Sequence, residues 1–304
     1  MGRGPGAGRV EGGPSYPRRF GARQVSEPLP PAPPRPPPGV EETPDFSRID
    51  FVRLWAGRDR VTEVEGALLT EGLARAPDGP MLEIGTGGAR LTPYLLRGNR
   101  HVVATDATVG LLSALPRSAV GSIPKVGANV YHLPFRPATF AGVAMIRVFG
   151  FLTDPGAALR EIRRVLRPQG ILLVSFEPHP SVGSLLSDLK IGLAGATAPR
   201  GPTMTFARDA VVPVRPSAYP AWSSTRRYVA DLVEASGFRV ESDRPCGLED
   251  LAGLRSLPAS VFAGLSRALS RLGGFPSRFL VLRNVSEATE PRAVGPSRSG
   301  DTTS

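Results

Sequence analysis

A run of glycines follows an acidic residue in the first half of the chain, in the segment Glu83-Ile84-Gly85-Thr86-Gly87-Gly88-Ala89-Arg90. Glycine lets the backbone turn tightly and lets a ligand approach the amide groups at a helix N-terminus. Asp106 lies 21 residues beyond Gly85, and a carboxylate at that spacing can accept two hydrogen bonds from a ribose diol. The two features together predict a site for a nucleoside-containing ligand. The alternative for Asp106 is a solvated aspartate that caps the next helix.

Other kinds of site are disfavoured by what the chain lacks. The dinucleotide fingerprint G-x-G-x-x-G needs a glycine where this chain has Arg90, and no Gly-Lys-Ser/Thr follows to make a Walker loop. Cys246 is the single cysteine, which excludes an internal disulfide and a cysteine-based zinc cluster. With three histidines in the whole chain, a site with several histidine ligands is not expected either. We therefore predict no metal site.

Short apolar strands alternate with helical stripes around these residues. Strands are predicted at Met81–Ile84, 101–106, 125–131, 140–147, 171–176, 239–243 and 278–282. Helices are predicted over 61–68, from about 91, over 109–115, from Asp154-Pro155 to Leu166 with Pro168 and Gly170 ending it, over 229–237 and over 261–272. This alternation predicts an α/β, doubly wound sheet, whose ligands bind at the carboxyl ends of the strands.

Several further segments occur in a fixed order along the same stretch. The glycine run resembles motif I of class I S-adenosylmethionine-dependent methyltransferases, E/D-x-G-x-G-x-G, with Ala89 in place of the last glycine. It is followed by Leu133-Pro134-Phe135, by Thr139-Phe140-Ala141-Gly142-Val143, by Asp154-Pro155 and by the block from Ala158 to Val174. In this order the segments resemble the small-molecule methyltransferases of the ubiquinone/menaquinone C-methyltransferase type (methyltransferase type 11). The resemblance covers about residues 48–178.

The resemblance implies a fold, a cofactor and a set of site residues. The fold would be a Rossmann-like, mostly parallel seven-stranded sheet with an antiparallel last strand, and the cofactor would be S-adenosylmethionine. Glu83 would lie near the methionine ammonium, with Gly85, Thr86 and Gly87 against the cofactor backbone. Asp106 and Ala107 would contact ribose and adenine.

The same resemblance places four more residues at the ends of the next two strands. Asn129 would accept a hydrogen bond from the adenine N6 amine, where the family commonly has aspartate, and Val130 would offer its backbone amide to adenine N1. Ile146 and Arg147 would face the methionine portion. Two departures from the family pattern, Ala141 for aspartate in F-D-x-V and Gln169 for the first glycine of P-G-G, are expected to alter local geometry only.

The two ends of the chain differ in composition from the middle. Residues 1–45 contain 12 prolines and 8 glycines, which predicts a disordered tail or polyproline II that could bind a proline-recognising domain. Residues 285–304 are also polar and are predicted to be a flexible tail. We expect one methyltransferase domain over 46–284. No apolar run reaches the length of a membrane span and no signal sequence is evident, so the sequence predicts a soluble, cytoplasmic protein.

The segment after the fifth strand interrupts the alternation of strands and helices. At residues 179–224, where the family carries an insertion over the substrate, we predict a lid. It is rich in arginines and aromatic residues: Arg200, Arg208, Arg215, Phe206, Tyr219 and Trp222, followed by Arg226, Arg227 and Tyr228. A basic, aromatic lid suits a small methyl acceptor that is anionic or aromatic, and an ordinary arginine-rich loop is the alternative. His179, just beyond the strand, is the candidate general base.

The chain carries a net charge of +10, which leaves rivals to a small-molecule methyltransferase. The charge keeps open an RNA or protein methyltransferase, although nucleic acid is not the favoured partner. A regulatory protein that keeps the fold without catalysis is the rival of another class, but the intact glycine run and Asp106 argue against it. The arginines at 160, 163, 164 and 167 are interpreted as a solvated helix face.

Overall fold

This computed structural model describes Phe46, Trp55 and residues 57–98, 100–115, 123–178, 211–213, 222–248, 258, 260–262, 264–265, 268 and 275–285. Seven strands form one mixed sheet in this part of the chain. Its strands are β1 (Met81–Ile84), β2 (Val102–Asp106), β3 (Lys125–Gly127), β4 (Phe140–Met145), β5 (Leu166–Phe176), β8 (Phe238–Cys246) and β9 (Ser277–Asn284). They lie in the order β3-β2-β1-β4-β5-β9-β8. The first five strands are parallel, and β9 runs antiparallel to both of its neighbours. The predicted sheet, with its antiparallel last strand, is confirmed.

Helices cover both faces of this sheet. They are α1 (Asp59–Leu73), α2 (Thr92–Leu95), α3 (Val109–Ala114), α4 (Pro155–Val165) and α5 (Arg226–Ala235). Alternate residues of β5 face opposite sides: Leu172 packs in the cluster that contains residues of α4 and α5, and Leu173 in the cluster that contains residues of α1. A strand that is apolar on both faces requires cover on both, which is the doubly wound arrangement.

The N-terminus of α4 matches its sequence signals closely. Asp154 caps the helix by accepting a hydrogen bond from the backbone N–H of Ala157 over 2.8 Å, and Pro155 occupies the first helical position. The predicted apolar face of α4 is buried, and its members Ala158, Leu159 and Ile162 have no exposed surface.

Several element boundaries differ from the predicted ones. Leu166 begins β5 instead of ending α4, and β3 ends at Gly127 because the residues from Asn129 to His132 form a turn closed by a bridge between those two residues. The predicted helix over 261–272 is described only in part, and Val261, its first predicted residue, is 52% exposed. The tail over 1–45 and residues 286–304 lie outside the described residues.

The two ends of the predicted lid meet at the carboxyl end of β5. Pro178 forms a parallel bridge with Ser224, whose N–H donates to the carbonyl of Glu177 over 3.0 Å. Ser224 closes the short strand β7 (Trp222–Ser224), which pairs with β6 (Val211–Pro213). The intervening segment therefore leaves and rejoins the domain at one place, beside the edge of the sheet where ligands of this fold bind. None of the described helices is both long and apolar enough to span a bilayer.

Candidate active site

The residues that follow β1, β2, β3 and β4 come together along one edge of the sheet. These four strands are parallel neighbours, so their carboxyl ends lie side by side. The glycine run follows β1, Asp106 ends β2, Asn129 and Val130 follow β3, and Arg147 follows β4. With Glu83 near the end of β1, Ala107 directly after β2 and Ile146 directly after β4, all ten predicted cofactor residues lie along this edge.

The glycine run makes a tight turn against the loop that follows β4. Gly85 has φ +70°, and a Cβ built there would lie 2.3 Å from Cγ2 of Val148, so a side chain has no room. Gly87 has φ +53°, the left-handed region that favours glycine. The Thr86 N–H donates to the carbonyl of Thr105 over 3.0 Å, which anchors the turn to β2.

Asp106 holds this turn with its side chain. Its Oδ2 accepts the backbone N–H of Gly87 over 2.9 Å and its Oδ1 accepts the N–H of Thr108 over 2.8 Å. The side chain is 7% exposed, so the solvated aspartate considered from the sequence is wrong. Burial raises the pKa of this carboxyl, and the hydrogen bonds from Gly87 and Thr108 oppose that rise. Each carboxylate oxygen has a further lone pair with which a ribose hydroxyl could bond.

Glu83 lies in β1 directly beneath the glycine run and is 6% exposed. Its Oε2 accepts hydrogen bonds from Oγ1 of Thr92 over 2.6 Å and from Oγ1 of Thr86 over 3.4 Å. Among the described residues both of these bonds end on Oε2, which leaves Oε1 to a ligand. Burial raises the pKa of this carboxyl from 4.5 to about 7, against the lowering effect of the two threonines. A cationic group bound here would favour the ionised form.

The loop after β3 is fixed by the helix α4. The N–H of Leu133 donates to Oε1 of Glu161 over 2.8 Å, and Arg164 donates to the carbonyls of Leu133 and Phe135 over 2.9 and 2.8 Å. Arg164 also pairs with Glu161. The Arg164 side chain is 36% exposed, as expected for the solvated face, but its guanidinium also satisfies carbonyls of a loop about thirty residues earlier in the chain.

Asn129 and Val130 begin that loop, where the resemblance places adenine. The Asn129 Oδ1 accepts the N–H of Tyr131 over 3.1 Å, so this amide oxygen already stabilises the turn. Val130 is buried. Their contacts with adenine remain predictions.

Next to Asp106 lies an exposed apolar surface formed by Ala107, a predicted cofactor residue, and by Val109, which the sequence reasoning missed. Ala107 is exposed and Val109, the first residue of α3, is 59% exposed. A Cβ added to Gly127 would lie 2.6 Å from Cγ2 of Val109, so the end of β3 packs directly against this side chain. An exposed valine at this position is a surface on which the flat face of a base could lie. The signal in the sequence was the apolar residue at a helix start, but its exposure depends on the fold.

Arg147 is held in place through both its backbone and its side chain. It has φ +58°, a strained conformation for arginine. Its backbone N–H donates to Oγ of Ser175 in β5 over 2.8 Å, and its Nε donates to Oε1 of Glu65 over 2.6 Å. Glu65 lies in α1, 82 residues earlier in the chain.

Sequence reasoning also missed Glu65, although a signal was present. Val61, Glu65 and Leu69 are spaced four residues apart and all three are buried, so a charged residue stands in the apolar stripe of α1. A charge at such a position needs partners, and these come from distant parts of the chain.

The structure describes only parts of the predicted lid and the residues that follow it. His179 lies outside the described residues, so its role as a general base stays a prediction. Arg226 and Arg227 belong to α5 and pair with Asp243 and Asp231 respectively. These two arginines therefore add less to a basic lid than the sequence suggested. Within the described ranges, no group of three or more His, Cys, Asp or Glu side chains could hold a metal ion.

Comparison with known proteins places the chain among enzymes. The family model described as a methyltransferase domain matches residues 82–174. The demethylmenaquinone methyltransferase of Mycolicibacterium gilvum is 31% identical over 168 residues, which cover 55% of this chain and 72% of that protein. The enzyme of the same name from Mycolicibacterium vanbaalenii is 35% identical over 104 residues, 34% of this chain and 44% of that protein.

Solved structures show the same fold at low sequence identity. An S-adenosylmethionine-dependent methyltransferase from Thermotoga maritima superposes with a TM-score of 0.51 and 15% identity, over 79% of this chain and 98% of that one. The magnesium protoporphyrin IX methyltransferase of Synechocystis PCC 6803, solved with bound S-adenosylhomocysteine (SAH), gives 0.50 and 13%, over 78% and 89% of the two chains. With the glycine run, Asp106 and the sheet order in place, the chain belongs to the class I S-adenosylmethionine-dependent methyltransferases.

Proposed function

We propose that this methyltransferase binds S-adenosylmethionine along the carboxyl edge of β3, β2, β1 and β4 and transfers its methyl group to a small-molecule acceptor. The observation that carries the proposal is the pairing of Asp106 with Gly87. One buried carboxylate both holds the glycine turn and keeps lone pairs for a ribose diol. The chain over 46–284 would form the catalytic domain.

The order of the strands matches the order of groups in the cofactor. Adenine would lie by Val109, Asn129 and Val130, near the ends of β2 and β3. The ribose would bind Asp106, and the backbone of the turn at Gly85, Thr86 and Gly87 would lie against the cofactor. The methionine portion would then reach β1 and β4. There Glu83 would receive the ammonium, and Ile146 and Arg147 would line the far end.

The acceptor is proposed from the relatives and from the lid. Two relatives carry the name demethylmenaquinone methyltransferase, so a reduced demethylmenaquinone is the first acceptor to test. The lid over 179–224, with both ends at β5, would close over such a molecule and hold it beside the methionine end of the cofactor. An aromatic or anionic small molecule suits the arginines and aromatic residues of that segment.

Methyl transfer depends more on the alignment of the reacting atoms than on acid–base chemistry. The sulfonium of the cofactor supplies an activated methyl group for in-line displacement. The protein must hold the accepting atom in line with it and exclude water. If the acceptor has to lose a proton, His179 at the end of β5 is the residue proposed to take it.

Transfer of a labelled methyl group from S-adenosylmethionine tests this proposal. The acceptors to compare are reduced demethylmenaquinone, a panel of small aromatic acids and phenols, total RNA and a protein extract. The proposal predicts label in a small molecule. Label only in RNA or protein would favour the macromolecular alternative, and cofactor binding without transfer to any acceptor would favour a regulatory protein.

A further inference from the structure

Glu65 is a buried carboxylate that bridges two arginines at the cofactor edge. It is 2% exposed. Its Oε1 accepts from Nε of Arg147 over 2.6 Å and its Oε2 from Nη2 of Arg90 over 2.5 Å, while Nη1 of Arg90 donates to Oγ1 of Thr62 over 3.2 Å. One residue of α1 thus ties the segment after the glycine run to the segment after β4.

Trp55 covers the same pair of arginines. The guanidinium carbon of Arg90 lies 3.8 Å from the centroid of the Trp55 ring, and that of Arg147 lies 5.2 Å away. A guanidinium this close to an indole ring is attracted by the electron-rich face of that ring. The two arginines are therefore fixed by a carboxylate on one element and by an aromatic ring on another.

The position of this cluster matches one end of the proposed cofactor. Asp106 and the loop after β3 would take the ribose and the base, so the amino-acid end must lie over β1 and β4. Arg90 follows the turn after β1 and Arg147 follows β4, so both belong to this part of the edge. Two guanidiniums and one carboxylate leave a net charge of +1 in a largely buried place, which suits a bound carboxylate. Glu83 nearby suits the ammonium.

We infer that Glu65 is a positioning residue for this reaction, an inference that rests on the proposed function. Its carboxylate holds Arg90 and Arg147 together against their mutual repulsion and orients them toward the carboxylate of the amino-acid portion of the cofactor. Glu65 itself does not contact the cofactor. It acts through the direction in which the two guanidiniums point.

Two ligands that differ only in the amino-acid portion separate this role from a merely structural one. SAH carries that portion, and 5′-methylthioadenosine has a methyl group in its place. Calorimetric titration of both ligands into the wild-type chain and into Glu65→Gln should show about a tenfold loss of affinity for SAH. The affinity for methylthioadenosine should change by less than about twofold, which also reports that the variant is folded.

Asp243→Asn is the matched control. Asp243 also lies between two arginines, with Oδ1 2.6 Å from Nε of Arg278 and Oδ2 3.4 Å from Nη2 of Arg226, but in the edge strand β8. It should leave both affinities unchanged. If Glu65→Gln does not fold, Glu65→Asp keeps the charge with a shorter reach and should show the same selective loss.

Different outcomes would contradict the proposed function and the positioning role of Glu65. A wild-type chain that binds neither ligand contradicts the proposed function. If the wild-type chain binds both ligands, an unchanged SAH affinity in the Glu65 variant, or an equal loss for both ligands, overturns the positioning role alone.

Discussion

The backbone N–H of Gly87 lies 2.9 Å from Oδ2 of Asp106, so the tip of the glycine turn and the end of β2 are joined by one hydrogen bond. The two residues are 19 positions apart in the chain. A carboxylate placed in this way shapes the turn before any ligand arrives, and a preformed site spends less of its binding free energy on ordering itself.

Asp106→Ala should therefore weaken cofactor binding sharply. The variant loses the acceptor for the ribose diol and releases the amides of Gly87 and Thr108, and hydrogen bonds to a charged group contribute about 1.5–3 kcal/mol each. We expect the affinity for SAH, measured by calorimetry, to fall by roughly 10- to 100-fold or more. Unchanged affinity would disprove the assignment of ribose to Asp106.

Asp154→Ala is the control for the Asp106 variant. It removes the N-cap of α4 and should lower the free energy of unfolding by about 1 kcal/mol without affecting SAH binding. The pair distinguishes an aspartate that binds a ligand from one that only caps a helix.

The raised pKa of Glu83 predicts that the stability of the ligand-free protein depends on pH. The folded state holds this carboxyl with a pKa of about 7 instead of 4.5, so it binds more protons than the unfolded state between these values. The free energy of unfolding should then fall as the pH rises from about 4.5 to about 7, by at most about 3 kcal/mol. In Glu83→Gln, the free energy of unfolding measured by chemical denaturation should lack this pH dependence over the same range.

Cofactor binding should respond to pH in the opposite direction. The ammonium of the cofactor favours the ionised form of Glu83, so binding near pH 7 should release a proton and the affinity should rise between pH 6 and 8. Titrations in buffers of different ionisation enthalpy would measure that proton. An affinity that is independent of pH, or one that varies equally in Glu83→Gln, would contradict the pairing of Glu83 with the ammonium.

Arg164→Ala should weaken cofactor binding moderately, although this residue lies behind the site. The variant leaves the carbonyls of Leu133 and Phe135 without their donor, and the loop after β3, where adenine is proposed to bind, loses its support from α4. We expect SAH affinity to fall by roughly three- to tenfold. Arg160→Ala, an exposed arginine of the same helix, should leave the affinity unchanged. Equal effects of the two substitutions would show that Arg164 does not act through the loop.

Gln169→Gly should stabilise the protein. Gln169 is exposed and has φ +62°, a conformation that costs an L-residue about 1–2 kcal/mol, of which the greater freedom of glycine in the unfolded chain cancels about 0.4–1 kcal/mol. The expected gain is about 0.5–1 kcal/mol, measured as a higher midpoint of chemical denaturation. Gln169→Ala should bring no gain, and a midpoint that falls in the glycine variant would show that the side chain contributes more than the backbone strain costs.

The local parts of the fold could be predicted because their signals are contiguous. The cap at Asp154 and Pro155, the buried strand at Met81–Ile84 and the placement of Asp106 at the end of β2 each depend on residues within a few positions or on a known spacing. The departure at Gln169 was recognised from the family pattern, and the structure adds that it occupies a left-handed backbone position.

The missed residues act over long distances in the chain. Glu65 is buried because Arg90 and Arg147 approach it from 25 and 82 positions away, and Arg164 has its partners 29 and 31 positions earlier. Periodicity places such residues on a helix face but does not say what packs against that face. His179 and most of the lid lie outside the described residues, so the proposed acceptor depends mainly on the relatives.

Calorimetric titration of the wild-type chain with S-adenosylmethionine and, separately, with NADH tests the central claim most directly. Arg90 stands where the dinucleotide fingerprint needs glycine, and the proposed function assigns the ribose to Asp106 and the amino-acid portion to Glu83 and Arg147. The account predicts micromolar binding of S-adenosylmethionine and none of NADH. Failure to bind S-adenosylmethionine, or tighter binding of NADH, would contradict it.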